Sequence, residues 1–410
     1  MARIQTPRER RASAAVARAG DGFEAVEAAL MVLPDPRRRQ GVRYPLRSVV
    51  LIALMAMVCG CDDAEAMEDW GEHHEAWLRE LLDLPHGVPS QDVFLAVFAA
   101  LDPKEFSAFF LIWVDFLRSR AAAVSDPHIA IDGKTSRRTF SSDSAAIHTV
   151  SAWMSEAGLV VGQTQTSAKS NEITAIPELL RSLTLKGTTV TIDAMGCQTE
   201  IAETIVRKDG HYLLAVKNNQ PALHRELAAS FEEVDGAANR ARDLPALPPV
   251  GVHEETNKDH GRVEVRRVEV IRKLDRMDAT VRERWCKLAC IIRVTRERTV
   301  LSTGHTSRET AFYIGSHPTA DAALLARFIR SHWGIENSLH WVLDIAFHDD
   351  QSRHRTKNLA ANLTTLRHMA NNLLKQEKTC RLGVANKRKR ANRSHDYLLT
   401  VITGPEVAVD

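Results

Sequence analysis

Two short apolar runs that each end in an aspartate constrain this chain more than any other feature. His128 to Gly133 (HIAIDG) and Thr188 to Asp193 (TTVTID) read as buried strands with Asp132 and Asp193 at their carboxyl ends. In α/β sheets, side chains at that end line the crevice where ligands bind. A carboxylate there needs solvent, hydrogen bonds or a cation, because burying it bare is costly. Each aspartate taken alone also reads as a strand-end turn former. Converging from adjacent strands, the two would repel each other unless a divalent cation lay between them. Hard oxygen donors suit Mg²⁺ or Mn²⁺.

The rest of the chain supplies a frame for such a sheet. At about 150 residues per domain, 410 residues predict two or three folding units. Residues 1–20 are expected to be a basic flexible arm. Residues 21–124 carry helical periodicity and turn signals, and predict an all-helical N-terminal domain. From Pro127 the pattern becomes strand, hairpin, helix, strand, helix, strand, so that 125–240 and 318–380 predict a mixed α/β core. Between them lies a β-rich insertion, 241–317, opened by the proline-rich break Leu244–Val250 and carrying strands from Val263 onward. Residues 381–410 are expected to be a basic tail. The longest apolar run, Ser48–Cys61, is shorter than the ~18–20 residues of a membrane span and predicts a buried helix. Met1–Arg18 lacks the apolar core of a secretory signal. The six cysteines form neither a C-x-x-C nor a paired zinc framework, which predicts reduced thiols and a cytoplasmic location.

A third polar element interrupts an apolar helical stretch at Ser331–Asp350 (SHWGIENSLHWVLDIAFHDD). On an α-helix, His332, Glu336 and His340 share a face, with Trp333 and Trp341 on the buried side. The protease signature H-E-x-x-H is absent, so zinc is not indicated. Asp344, Asp349 and Asp350 stand as rivals to Glu336 for any metal role.

The chain resembles the DDE transposases of bacterial insertion sequences, within the ISAs-type, H-repeat-associated group. The resemblance runs in order through DPRRRQGVRYPL, HGVPSQDVF, IAIDGK, AKSNEITAIPELL, TIDAMGCQ, YLLAVKNNQP, HGRVEVRR and HWGIENSLHWVLDIAFHDD, from about residue 35 to about residue 350. It implies a ribonuclease-H-like catalytic core with Asp132, Asp193 and Glu336 as a metal-binding triad for two Mg²⁺ (or Mn²⁺) ions. It also implies that the β-rich segment is an insertion between the second aspartate and the glutamate, which stand 143 residues apart. Related branches place Tyr, Arg and Lys around the glutamate where this chain has Ile329, His332 and Leu343. Arg330, His340 and Asp344 are therefore expected to take the phosphate and metal-supporting roles. The activity implied is cleavage at insertion-sequence ends and strand transfer into target DNA. The alternatives are a nuclease that cuts without joining and an inactive DNA-binding remnant. The implied partners are double-stranded DNA, as terminal inverted repeats and target, and a second copy of the chain or a higher multimer, in a bacterial cytoplasm at the nucleoid. No membrane partner is expected.

Charge refines the DNA expectation. Lys and Arg number 54 against 52 Asp and Glu, so phosphates must be met by local patches. Arg262–Arg298 holds twelve basic against six acidic residues, and Arg262, Arg266 and Arg267 are its candidates. Lys169, Lys217 and Arg330 are further candidates for phosphate. Lys134 and Asn171 are expected to support the acids.

Overall fold

The structure, a computed structural model, describes residues 5–38, 40, 42–121, 124–140, 145–166, 172–238, 250–259, 261–319 and 321–404. Among them lie nine strands: β1 (His128–Thr135), β2 (His148–Met154), β3 (Leu159–Thr166), β4 (Thr189–Ile192), β5 (His211–Val216), β6 (Val250–Asp259), β7 (Arg262–Ile271), β8 (Cys290–Val300) and β9 (Thr306–Gly315). Helices make up most of the remainder, and the fold is mixed α/β. The chain divides into two compact units, each discontinuous in sequence. One joins residues 124–132 and 172–335, and the other joins 3–123, 133–171 and 336–410. These units cut across the expected domain boundaries. The chain passes between them directly after Asp132 and directly before Glu336.

In the first unit the strand order is β1-β4-β5-β9-β8-β7-β6. β1, β4 and β5 run parallel, in the register Ile131↔Ile192 and Thr191↔Leu213. Their continuous apolar character suits strands covered on both faces. The helix Thr199–Arg207 packs on β5, and the helix Ala322–His332 packs on β4, β6 and β7. Leu213, Val270, Ile292, Leu325 and Phe328 meet in one core. The β-rich segment does not form a sheet of its own. β9 pairs antiparallel with β5 (Leu214↔Ile314), occupying an edge that would otherwise expose unpaired amides and carbonyls. Strand β6 precedes the strands expected from Val263 onward and pairs with β7 over its whole length. Its polar VGVHEETNKD is that of an edge strand, with one hydrogen-bonded neighbour and half-buried side chains.

The second unit is mostly helical, with the β2–β3 hairpin. The apolar run forms the helix Leu46–Cys59, buried on nearly every side and ended by Gly60 at φ 109°, where a side chain would strain the backbone. It packs on the helix Leu359–Gln376, whose buried residues include polar ones with fixed partners. Asn372 Oδ1 accepts from Val160 N at 2.8 Å, and its Nδ2 donates to Val160 O at 2.9 Å, so one amide substitutes for a strand neighbour of β3.

Both chain ends depart from expectation. The supposed flexible arm contains the helix Pro7–Val16. Thr6 and Glu9 form a capping box, and Ala12 and Val16 are buried. The supposed basic tail forms the helices Val384–Ala391 and His395–Thr403, with Lys387 and Arg388 buried. Among the described residues, no helix is long and apolar enough to cross a membrane.

Candidate functional site

The parallel pairing of β1 with β4 brings two predicted acids together. Ile131 is opposite Ile192, where the pairing of the two strands stops. Asp132 follows inside β1, which runs on to Thr135 and does not end at the acid as expected, whereas Asp193 directly follows β4. Asp132 is half-buried and Asp193 exposed. Asp193 Oδ1 accepts the amides of Met195 at 3.0 Å and Gly196 at 3.3 Å, which orients the carboxylate as the cap of a short 3₁₀ turn. Gly196 is required there: a Cβ on it would come 2.2 Å from Ile192 Cγ2. The turn is braced from the loop after β5, where Asn219 Nδ2 donates to Ala194 O at 2.6 Å and Gln220 Nε2 to Cys197 O at 2.9 Å.

A hydroxyl on β4 links two histidines behind this edge. Thr191 Oγ1 lies 2.7 Å from His128 Nε2 and 3.0 Å from His332 Nδ1. Thr191 has one proton to give, so it can donate to only one of the rings. Burial pushes His332 down to about 4 against the opposing pull of Asp193, and pushes His128 down to about 3 with help from His332. Both rings are therefore neutral at physiological pH. His332 thus ties the end of its helix to the strand that carries Asp193.

In the second unit, Lys134 sits among acids. Its Nζ lies 2.7 Å from Asp344, 3.2 Å from Asp349 and 3.1 Å from Asp350. Asp349 is fully buried, and it also takes Ser136 Oγ at 2.7 Å and Arg367 Nη1 at 3.1 Å. Burial would raise its pKa, but Arg367, Lys134 and Ser136 outweigh that and hold it below the usual carboxylate range. Burial would likewise lower Lys134, yet Asp349 and Asp344 keep it high. Asp344 is raised, because burial outweighs its bond to Lys134. The three carboxylates are close enough together to take a metal, but the Lys134 ammonium already sits among them.

Glu336 begins a π-helical turn, Glu336–His340, between the helices Ala322–His332 and Trp341–Ala346. The unbroken α-helix expected here, with His332, Glu336 and His340 on one face, is therefore interrupted. π turns concentrate at functional sites because the wider turn re-aims side chains. Glu336 is exposed. Trp333 and Trp341, expected on the buried side, are 44% and 60% exposed. His340 is largely buried, and burial, reinforced by Lys134, pushes it down to about 4.

A family model described as "Transposase DDE domain" matches residues 124–373, and one described as "DDE_Tnp_1-associated" matches residues 28–114. The chain belongs to the DDE transposase family. This transposase is 34% identical over 378 residues to "H repeat-associated putative transposase YhhI" of Escherichia coli K12, covering 92% of this chain and 97% of that one. It is 35% identical to "Putative transposase YncI" of Escherichia coli O157:H7, covering 91% and 93%. A solved piggyBac transposase synaptic complex with hairpin DNA aligns over 95% of this chain and 77% of that one, at 10% identity and TM-score 0.35, too low a likeness to carry the fold.

The transposase's other predicted residues are dispersed. Lys217 and Arg262 are exposed. Arg266 is bound to Glu255 at 2.9 Å and to Glu264 at 2.5 Å, Arg267 lies 3.3 Å from both Glu254 and Glu269, and Arg330 lies 2.6 Å from Glu255. The basic excess read from the sequence is thus partly spent on cross-strand ion pairs within β6–β9. Lys169 and Asn171 lie outside the described residues. His128, Thr191 and Gln220 were not singled out by sequence reasoning. The only available signal was polar residues inside or beside otherwise apolar strands.

Proposed function

We propose that this transposase cuts DNA at the ends of an insertion sequence and transfers the freed strand to target DNA, in a ribonuclease-H-like core with Asp132, Asp193 and Glu336 as its metal-holding carboxylates. The observation that carries the reading is the register Ile131↔Ile192, after which Asp132 in β1 and Asp193 just beyond β4 are the next residues of neighbouring parallel strands. Two hard-oxygen donors so placed fit a divalent cation, because one would relieve their mutual repulsion. Mg²⁺ or Mn²⁺, bound as two ions, would supply the positive charge that stabilises attacking and leaving oxygens in an in-line displacement.

The chain's own groups do the rest. The amides of Met195 and Gly196 keep Asp193 oriented, and Asn219 and Gln220 hold the loop that presents it. His332, neutral and tied to Thr191, fixes the helix end that leads to Glu336. Lys217 and Arg262, both exposed, would meet phosphates, with Lys169 and Asn171 as further candidates. Arg266, Arg267 and Arg330 serve first to neutralise neighbouring carboxylates. A dimer or higher multimer on paired DNA ends completes the reading.

Asp132→Asn, Asp193→Asn and Glu336→Gln each keep side-chain shape and remove one negative charge. Each is expected to abolish Mg²⁺-dependent cleavage of DNA carrying the element's ends, with an unchanged melting temperature. Wild-type cleavage in any one variant would remove that residue from the triad. Cut but never joined products from the wild type would make the enzyme a nuclease.

A further inference from the structure

The arginines of β6–β9 are largely paired with acids, whereas those of one small surface in the second unit, Arg137 excepted, are not. The loop Ser136–Phe140 is fixed from below. Ser136 Oγ is bonded to Asp349, Thr139 Oγ1 donates to Ser136 O at 2.7 Å, and Ile147 N donates to Thr139 Oγ1 at 2.9 Å. Ser136 and Thr139 are buried, so Arg137, Arg138 and Phe140 are left outside. Phe140 is 54% exposed, unusual for a large apolar side chain on a pinned loop. A second loop, 352–358, meets the first. Arg355 Nε donates to Arg138 O at 3.3 Å, and its guanidinium lies 5.3 Å from the centre of the Phe140 ring. Arg353 and Lys357 are exposed on the same loop. Among the described residues, Arg138, Arg353, Arg355 and Lys357 pair with no carboxylate. Arg137 alone has one, Asp350 at 3.4 Å, and its side chain is 82% exposed.

We infer that this surface is a binding site for an unpaired DNA strand, with the arginines and Lys357 on successive phosphates and Phe140 stacked on a base. This rests on the transposase reading. Clustered cations beside an exposed ring are the combination that holds single strands: charge follows the backbone, and any base can stack on an aromatic face. A duplex would use the charges and leave the ring idle. The contact between Arg355 and Phe140 keeps ring and cation within reach of one nucleotide.

The test is binding of the full-length protein to a labelled duplex with a single-stranded overhang and to the same duplex blunt-ended, across a salt series. The wild type should prefer the overhang. Phe140→Ala should weaken overhang binding roughly tenfold and leave the blunt duplex nearly unchanged. Arg138→Ala and Arg355→Ala should each lower the slope of log affinity against log salt by about 0.7. All three residues are exposed, so melting temperatures should hold, and Phe140→Leu, which keeps apolar bulk without a ring, should behave as Phe140→Ala does. Variants that keep the wild-type overhang preference and slope would overturn the site while the transposase reading stands. A wild type that binds neither DNA would overturn that reading itself. Tighter binding of an RNA strand than of the DNA overhang would reassign the surface.

Discussion

At the scale of single residues, the most consequential side chain outside the proposed triad is Lys134. It stands two residues after Asp132, and its ammonium contacts three carboxylates, one of them buried. Removing one partner of a buried ion cluster leaves uncompensated charge, which costs about 3 kcal/mol or more. Lys134→Met should therefore destabilise the protein by that order in denaturant melts. The double variant Lys134→Met/Asp349→Asn should recover part of the loss, because the second change removes one of the abandoned charges. Simple additivity of the two single changes would mean that Lys134 and Asp349 do not depend on each other. Lys134 and Asp344 were legible as candidates from their positions near IAIDGK and Glu336. Their pairing was not, because an ion pair between residues so distant in sequence leaves no periodic trace.

At the scale of elements, the helix Val384–Ala391 shows how a basic run misleads. KRKR is the most basic stretch of residues 381–410, expected from the sequence to be a tail. In the fold, Arg388 is buried and donates to Met57 O at 2.7 and 3.1 Å, to Asp62 Oδ1 at 2.5 Å and to Ala346 O. It satisfies the carbonyl end of the helix Leu46–Cys59, where a cation is also favoured by the helix dipole. Lys387 likewise bonds Leu374 O at 2.9 Å. Lys389, by contrast, is exposed. Arg388→Ala should cost about 3–5 kcal/mol, the range for breaking a buried charge network, whereas Lys389→Ala should stay within about 0.5 kcal/mol. Chemical denaturation of the two variants side by side separates them. Equal small losses would return the run to the surface.

At the scale of the whole molecule, each compact unit contains a histidine buried in neutral form. His128 and His368 are almost wholly inaccessible, and burial pushes each down to about 3. The unfolded chain takes up a proton near pH 6.5 at each, and the folded chain does not. Their contribution is therefore fully present above about pH 6.5 and is lost as pH falls toward the folded values, by about 1.4 kcal/mol per pH unit per histidine. Stability from urea titrations should fall steeply between about pH 6.5 and about pH 5, and His368→Gln should flatten that fall. A flat profile for the wild type would mean that the rings protonate without unfolding. The sequence by itself determined the family and the apolar strands of the sheet. Apolar runs specified β1, β4 and β5, an acid stood in or directly after the first two, and ordered motifs carried the family, because these depend on neighbours within a turn or a strand. Only the tertiary structure decided which charges are spent. Arg266 is held by Glu255 across a strand pair, Lys134 by Asp349 from 215 residues away, and Arg388 by the Met57 carbonyl 331 residues earlier. Arg138 and Arg355 are left facing solvent. Coulombic pairing and desolvation depend on distance in space, and distance in space between remote segments is set by the packing of the whole fold.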